Sequence, residues 1–199
     1  MNVTIFNSGA GNLHSIAKAL SSFDNTDVRV EEDPQSLLKK SDLIVLPGVG
    51  AFGYAIEALA PIRSELNELA NEGFPVIGIC LGMQLLFDES EEGTGNGLGI
   101  INGNVTKLNA QRIPHMGWNT LEATTPDFID FDAAPMYFAN SYVCRPANDD
   151  EVKAYTVHES DKFPSIVRKN NVVGFQFHPE KSSNVGISLL NCAVKAVTK

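Results

Sequence analysis

One cysteine lies in a sequence context that suits nucleophilic chemistry. Cys80 is central in the segment GICLG at 78–82, where glycine flanks the nucleophile two residues away on each side, directly after a short apolar run. A nucleophile at a sharp strand-to-helix turn has a strained backbone, and the glycines prevent side-chain collisions there. The start of a helix favours thiolate, and the Leu81 N–H could donate to an oxyanion. The alternative is a buried cysteine that packs as a small hydrophobe.

His178 is the best candidate for a base that serves this cysteine. It follows the segment VGFQF at 173–177, which predicts a strand that ends at His178, and Pro179 and Glu180 come next. Residues two apart in extended chain project to the same side, so Glu180 can hold the imidazole and stabilise its protonated form. The alternative is a solvated histidine beside a surface pair of Glu180 and Lys181. The spacing predicts a Cys-His-Glu triad.

The other histidines offer weaker arrangements. His14 and His115 have no acidic neighbour in a comparable position. His158 is followed by Glu159, but adjacent residues on a strand point to opposite faces, which makes this a poor dyad.

The segments that must position these residues alternate in type. Apolar runs at 3–6, 43–46 and 76–79 each lead into a glycine-rich turn and predict buried parallel strands. Helical patterns cover 13–23 and 61–73. Strand-helix alternation predicts a βαβ architecture with right-handed crossovers, whose sites lie beyond the carboxyl ends of the strands. We therefore expect the glycine-rich turns to converge on one edge of the sheet.

The second half of the chain has a different pattern. Five segments predict short strands with few helices between them, namely 98–108, 136–143, 153–157, 165–168 and 172–177. A final helix begins at serines suited to capping and places Val185, Leu189, Cys192 and Ala196 on one face. We expect one α/β domain over 1–199, with mainly antiparallel β structure added in its second half.

Composition limits the classes of partner and compartment. The net charge of -9 disfavours nucleic acid and anionic membranes, which would repel the chain. Cys80, Cys144 and Cys192 are too far apart in sequence to indicate a disulfide framework or a zinc site, so we expect free thiols and no metal. No apolar run reaches 18 residues and the first residues do not form a signal peptide, which predicts a cytoplasmic protein.

The combined motifs resemble those of a known family. With Cys80, His178 and Glu180 in place, the chain resembles the class I glutamine amidotransferases, and most closely the glutaminase subunits of imidazole glycerol phosphate synthase. The resemblance rests on PGVGAFG at 47–53, GICLGMQLLFDESEE at 78–92, GLGIINGNV at 97–105, IPHMGWN at 113–119, YFANSY at 137–142 and GFQFHPEKSS at 174–183. GxCxGxQ and FHPE are shared across class I, whereas PGVG, IPHMGWN and HPEKS favour the branch that serves histidine biosynthesis.

The resemblance implies a fold and a reaction. The fold would be the flavodoxin-like class I amidotransferase fold, a mostly parallel sheet flanked by helices. The reaction would be hydrolysis of L-glutamine to L-glutamate and ammonia through a Cys80 thioester, without a cofactor. The ammonia would pass to a cyclase subunit with a (β/α)8 barrel, which makes imidazole glycerol phosphate and AICAR from PRFAR in a heterodimer.

The resemblance also implies roles for residues beyond the triad. Backbone N–H groups of Leu81 and of Val49 or Gly50 would form the oxyanion hole. The glutamine-binding residues would be Gly50, Gln84, Glu92, Asn140, Ser141 and Tyr142. The residues at the cyclase interface would be Asn12, Trp118, Asn119, Tyr137 and Lys181. Asn140 departs from the family's usual histidine in YFVHSY, and it cannot carry a charge.

Simpler roles remain open for several of these residues and for the whole chain. Gln84 and Glu92 could form an exposed polar face of the helix that follows Cys80, and Trp118 could be a core residue. The same chemistry could serve another synthase, or the chain could be a binding module that has lost turnover. A cysteine hydrolase or a redox sensor would share only the turn around Cys80.

Overall fold

The computed structural model describes residues 1–9, 13–48, 50–93 and 95–199. The strands within these ranges are β1 (Asn2–Phe6), β2 (Asp27–Glu31), β3 (Leu43–Leu46), β4 (Val76–Ile79), β5 (Glu89–Ser90), β6 (Gly103–Lys107), β7 (His115–Thr120), β8 (Glu122–Ala123), β9 (Pro135–Asn140), β10 (Tyr142–Pro146), β11 (Val152–His158), β12 (Asp161–Lys169) and β13 (Val172–Phe175). The α-helices are α1 (His14–Ser21), α2 (Pro34–Lys40), α3 (Phe52–Leu59), α4 (Arg63–Asn71), α5 (Leu81–Leu85) and α6 (Ser183–Val197). Short 3-10 helices cover Ala60–Ile62, Pro126–Phe131, Asp149–Glu151 and Pro179–Lys181.

A large mixed sheet forms the centre of the molecule. Its eight strands have the order β2-β1-β3-β4-β13-β12-β11-β8. The first five are parallel to one another, and β12, β11 and β8 continue the sheet in antiparallel pairs. This arrangement confirms the predicted α/β fold with a mostly parallel sheet and antiparallel additions. It also places β4 and β13, the strands that precede Cys80 and His178, side by side.

The two faces of this sheet are covered by different helices. Ile77 and Ile79 of β4 pack in one buried cluster with apolar side chains of α1 and α6. Val76 of the same strand belongs to a second cluster, which includes side chains of α3, α4 and α5. Successive strand residues project to opposite faces, so short runs of apolar residues supply both layers of the core. The core therefore fixes β4 from both sides.

Two small sheets lie beside the large one. β10, β6 and β5 form the first, and the antiparallel ribbon of β7 and β9 forms the second. The continuous strand predicted over 136–143 is wrong, since the chain leaves β9 at Asn140 and enters β10 at Tyr142. The Ser141 carbonyl between them accepts from the Leu108 N–H at 2.9 Å, which holds the chain where it changes sheets. Three predicted site residues lie at this crossing.

The helices follow the predicted patterns in part. α1 and α4 fall inside the predicted segments, although the second segment begins as a 3-10 helix, whereas α2, α3 and β2 were not predicted. α6 begins where expected, but its buried face carries Leu189, Ala193 and Val197, and Cys192 and Ala196 are only half-buried. Within the described ranges, no helix is long and apolar enough to cross a membrane.

Candidate active site

Cys80 occupies the turn between β4 and α5. Its backbone has φ 49° and ψ -105°, and its N–H donates to the Phe175 carbonyl of β13 at 2.6 Å. A Cβ atom at Gly78 would lie 2.5 Å from the Gly82 carbonyl oxygen, and one at Gly82 would collide with the Leu46 carbonyl. The glycines on both sides of the cysteine are therefore required for the close approach of α5 to β3 and β4. This turn leaves the Cys80 side chain at the wall of a pocket.

His178 and Glu180 form a buried pair beside this turn. His178 Nδ1 lies 2.8 Å from Glu180 Oε1, and the two side chains are only 4% and 8% exposed. The His178 N–H donates to the Tyr137 carbonyl at 2.8 Å, and Ser182 Oγ donates to the His178 carbonyl at 2.6 Å. These contacts fix the backbone on both sides of the imidazole. The pair is not the solvated surface arrangement that the sequence left open.

The surroundings of His178 favour its charged form. Burial lowers the pKa of His178, but its side-chain contacts with Cys80 and Glu180 outweigh this and raise the pKa to about 9. Because Nδ1 is hydrogen-bonded to Glu180, Nε2 is the ring nitrogen that can interact with Cys80. At neutral pH His178 is therefore an imidazolium that is hydrogen-bonded to Glu180 and faces Cys80, an arrangement that suits nucleophilic chemistry at the sulfur.

A small pocket opens next to Cys80. Its volume is about 190 Å³, below the usual range for drug-sized ligands, and it suits a ligand of amino-acid size. The lining residues are Gly48, Gly50, Cys80, Leu81, Gln84, Glu92, Ala139, Asn140, Ser141 and Tyr142. The structure thus brings together, around the cysteine, all six residues for which the sequence predicted glutamine binding.

Amide groups shape the inner wall of the pocket. Gln84 and Asn140 are both 4% exposed, and their Nε2 and Nδ2 atoms donate to the Tyr142 carbonyl at 3.2 and 3.1 Å. Gln84 is therefore not on an exposed helix face. Asn140 Oδ1 is buried and has no hydrogen-bond partner in the described part of the chain.

Glu92 supplies a carboxylate at the same pocket. It lies in the turn after β5 and not on α5, which ends at Leu85, so the alternative that placed it on a helix face is wrong. Burial raises the pKa of Glu92. A cationic group of a ligand would offset the cost of this desolvation and favour the ionised carboxylate.

The predicted oxyanion donors lie partly within the described ranges. Leu81 is the first residue of α5, and Leu81 and Gly50 both line the pocket. Val49 lies outside the described residues.

The predicted interface residues lie mostly on the ribbon of β7 and β9. Trp118 is 54% exposed and faces Tyr137 across the ribbon, with ring centroids 6.1 Å apart, so it is not a core residue. Asn119 Nδ2 donates to the Val157 carbonyl at 2.8 Å, which ties the ribbon to β11. Lys181 is exposed at the end of a 3-10 helix. Asn12 lies outside the described residues.

The sequence reasoning missed one polar residue at this site. Gln176 has no exposed surface, and its Nε2 lies 3.8 Å from Cys80 Sγ. Its position two residues before His178 was the available signal, because side chains two apart in extended chain project to the same side.

Known proteins are similar to this chain in sequence and in fold. The model of the family described as glutamine amidotransferase class-I matches residues 4–194. A crystal structure of a glutamine amidotransferase superposes with a TM-score of 0.74 at 20% identity, covering 96% of this chain and 98% of that one, and it supports the fold alone.

Two relatives place the chain more narrowly. The imidazole glycerol phosphate synthase subunit HisH of Pyrococcus furiosus is 44% identical over 193 residues, covering 94% of this chain and 95% of that protein. The corresponding subunit of Methanocaldococcus jannaschii is 41% identical over 193 residues, covering 94% of this chain and 96% of that protein. The chain belongs to the class I glutamine amidotransferases and, within them, to the family of imidazole glycerol phosphate synthase HisH subunits.

Proposed function

We propose that this chain is the glutaminase subunit of an imidazole glycerol phosphate synthase, with Cys80, His178 and Glu180 as its catalytic triad. It hydrolyses L-glutamine to L-glutamate and ammonia, and the ammonia is used by a cyclase subunit in histidine biosynthesis. The observation that carries this proposal is the position of Cys80, at the wall of an amino-acid-sized pocket and beside the buried His178–Glu180 pair.

The first half of the reaction forms an acyl-enzyme. The Cys80 thiolate attacks the side-chain carbonyl carbon of glutamine, which creates a tetrahedral oxyanion. The Leu81 N–H and a backbone N–H of Val49 or Gly50 stabilise the negative oxygen. His178 then gives its proton to the departing nitrogen, the C–N bond breaks, and ammonia leaves a glutamyl thioester.

The second half regenerates the thiolate. His178, now neutral, takes a proton from a water molecule that attacks the thioester carbonyl. The C–S bond breaks and glutamate leaves, while His178 keeps the proton. Glu180 orients the ring through Nδ1 and stabilises the imidazolium at the start and end of the cycle.

The pocket has groups that complement each end of glutamine. Glu92 pairs with the substrate ammonium, a role that fits its desolvated carboxylate. Gln84, one turn of helix beyond Cys80, and the backbone at Ser141 and Tyr142 hold the polar groups of the amino-acid end. Asn140 lines the pocket where the family usually has histidine, and its neutral amide can hydrogen-bond the substrate but cannot carry a charge.

The ribbon is the surface on which the cyclase docks. Trp118, Asn119 and Tyr137, together with Lys181 and with Asn12, contact a (β/α)8 barrel in a heterodimer. Enclosure at this interface keeps ammonia from being protonated in bulk water before it reaches the cyclase site. The subunit acts as one domain over 1–199 in the cytoplasm, without a cofactor, nucleic acid or membrane partner.

The Cys80→Ala variant tests the assignment of the nucleophile. In complex with the cyclase it should form no ammonia from glutamine, yet the complex should still make product from added ammonia, since the cyclase site is intact. Cys192→Ala, at a half-buried position on α6, is the matched control and should keep both activities.

Retained glutaminase activity in Cys80→Ala would reject the triad. Ammonia formation stimulated only by a synthase other than the cyclase would reject the assignment to histidine biosynthesis. Labelling of Cys80 by a glutamine-analogue electrophile, with protection by glutamine, separates the proposal from a general cysteine hydrolase or a redox sensor.

A further inference from the structure

A fully buried amide lies directly against the nucleophile. Gln176 follows β13 and has no exposed surface, and its backbone N–H donates to the Ser165 carbonyl of β12 at 3.0 Å. Its side chain reaches Cys80, where Nε2 lies 3.8 Å from Sγ. Gln176 thus joins the strand that leads to His178 with the turn that carries Cys80.

The rest of the Gln176 amide is poorly satisfied. Its Oε1 has no hydrogen-bond partner within the described ranges, and neither has Ser165 Oγ on the neighbouring strand. Burying an amide without full hydrogen bonding costs free energy, and an apolar side chain of similar length would avoid that cost. The contact with sulfur is therefore the interaction that accounts for an amide at this buried position.

The direction of this contact depends on the charge of Cys80. A thiolate accepts hydrogen bonds more strongly than a neutral thiol, and the Gln176 amide nitrogen can only donate. On another side of the sulfur, the Ala139 carbonyl lies 3.9 Å from Sγ and can only accept from a thiol S–H. The two neighbours therefore favour opposite protonation states of the same sulfur.

We propose that Gln176 is a positioning residue for the nucleophile, whose amide N–H donates to the Cys80 thiolate and holds Sγ in place between β4 and β13. The proposal rests on the nucleophilic role of Cys80 given above and deepens it. Gln176 favours the charged sulfur and opposes the Ala139 carbonyl, while His178 and Glu180 supply the charge that pairs with it.

Other groups around Cys80 do not replace this donor. His178, backed by Glu180, is the cation that faces the sulfur, and Glu92 lines the same pocket as an anion. Cys144 of β10 is fully buried, and its burial, followed by the influence of Cys80, raises the pKa of Cys144 well above its usual value. Cys144 therefore stays neutral and adds no charge beside Cys80.

The test is the pH dependence of alkylation of Cys80 by iodoacetamide. It uses the full chain with Cys192→Ala, in which Cys80 is the thiol at the wall of a pocket, whereas Cys144 has no exposed surface. Gln176→Met keeps the length of the side chain and removes the N–H. The pH at which the alkylation rate reaches half its maximum, the alkylation midpoint, should therefore rise by about one pH unit. In the complex with the cyclase, kcat for glutamine should fall about tenfold at neutral pH and recover as pH rises, with KM little changed.

A matched control separates this role from a general loss of packing. Thr156→Val also removes a buried polar group of the large sheet, one that donates to the Thr120 carbonyl of β7 at 3.1 Å, and it should leave the alkylation midpoint unchanged. An unchanged midpoint in Gln176→Met, or an equal shift in Thr156→Val, would overturn the proposal.

A second substitution keeps the test decisive if Gln176→Met does not fold. Gln176→Glu has the same shape and places an acceptor against the sulfur, so it should raise the midpoint further, and an unchanged midpoint would again overturn the proposal. Alkylation does not require glutamine turnover. An unchanged midpoint with normal glutaminase activity therefore rejects only the role of Gln176, whereas a shifted midpoint in a chain that never hydrolyses glutamine rejects only the proposed function.

Discussion

The charge of His178 depends on the thiol and the carboxylate beside it. Burial lowers the pKa of His178, but the contact with Cys80 and the contact with Glu180, whose Oε1 lies 2.8 Å from Nδ1, raise this pKa to about 9. Since this folded-state pKa is above the unfolded value of 6.5, the protonated ring contributes stability that is fully present below pH 6.5. The contribution is lost as pH rises through about 9. Deprotonation of His178 at alkaline pH should therefore reduce both the activity and the stability of the subunit.

The Glu180→Gln variant tests whether this carboxylate raises the pKa of His178. The variant keeps an acceptor for Nδ1 but removes the negative charge, so the pKa of His178 should fall and the alkaline limb of kcat/KM should move to lower pH. We also expect kcat to fall by about a hundredfold or more, because the imidazolium is less stabilised. Both effects are measured in the glutaminase pH profile of the complex.

Glu65→Gln, at an exposed position of α4, is the matched control and should give the parent profile. An alkaline limb that stays in place in Glu180→Gln would show that this carboxylate does not set the charge of His178.

The ribbon of β7 and β9 connects the proposed docking surface to the active site. Tyr137 accepts from the His178 N–H through its carbonyl, and its own N–H donates to Ser182 Oγ at 2.9 Å. Two residues along the same strand, the Ala139 carbonyl faces Cys80 Sγ. A displacement of β9 by a docked partner would therefore reach both the base and the nucleophile through backbone contacts.

Trp118→Ala tests the ribbon as the docking element. A large, exposed aromatic side chain at the centre of an interface commonly contributes about 2 kcal/mol or more to binding, so the affinity for the cyclase should fall by about thirtyfold. Calorimetric titration of the isolated subunit with the cyclase measures this loss.

Ile129→Ala is the matched control for docking. Ile129 is 52% exposed, nearly as much as Trp118, but it lies on the 3-10 helix at Pro126–Phe131 and not on either strand of the ribbon. It should leave the affinity unchanged. Equal losses in the two variants would mean that the ribbon is not the docking surface.

The elements that the sequence predicted best are those whose chemistry lies in adjacent residues. The turn at Cys80 was predicted because strand, glycines and nucleophile are contiguous. β2 was missed because it is an edge strand with half-exposed positions such as Val30, at 47% exposure, and it lacks a clear apolar run. α2 was missed although Asp33 caps it and Pro34 opens it, since seven residues give too short a helical period.

Contacts between distant segments could not be predicted in the same way. The pair of His178 and Glu180 was predicted from a spacing of two residues in extended chain, and the two side chains do meet, but the extended premise is wrong because Glu180 lies on the 3-10 helix at Pro179–Lys181. The contact of Gln176 with Cys80 requires β13 to lie beside β4 with Phe175 opposite Ile79, and apolar runs do not encode which strands pair. The change of sheet at Ser141 could not be predicted for the same reason, because it depends on β9 pairing with β7 and β10 pairing with β6.

At the scale of the whole molecule, a buried histidine joins the ribbon to the large sheet. The His115 ring of β7 stacks on Phe138 at 4.9 Å and on His158 of β11 at 4.2 Å, and His115 is only 4% exposed. Burial, followed by the influence of His158, lowers the pKa of His115 to about 4. His115 therefore stays neutral in the folded protein at physiological pH.

This neutral histidine makes the assembly of the two sheets sensitive to acid. Between pH 6.5 and about 4 the unfolded chain binds a proton at His115 that the folded chain does not bind. The free energy of unfolding must therefore decrease as pH falls through this range.

His115→Phe should reduce this acid sensitivity. The variant keeps an aromatic ring in the stack and removes the titrating group, so its loss of unfolding free energy between pH 7 and pH 4.5 should be about 1–2 kcal/mol smaller than that of the parent. Urea denaturation of the isolated subunit at both pH values measures the difference. Thr156→Val, a buried polar-to-apolar change without a titrating group, should lower the free energy equally at both pH values. If His115→Phe and the parent have the same pH dependence, then protonation of His115 between the ribbon and the large sheet is not what destabilises the protein in acid. The loss of unfolding free energy would then come from buried carboxylates elsewhere.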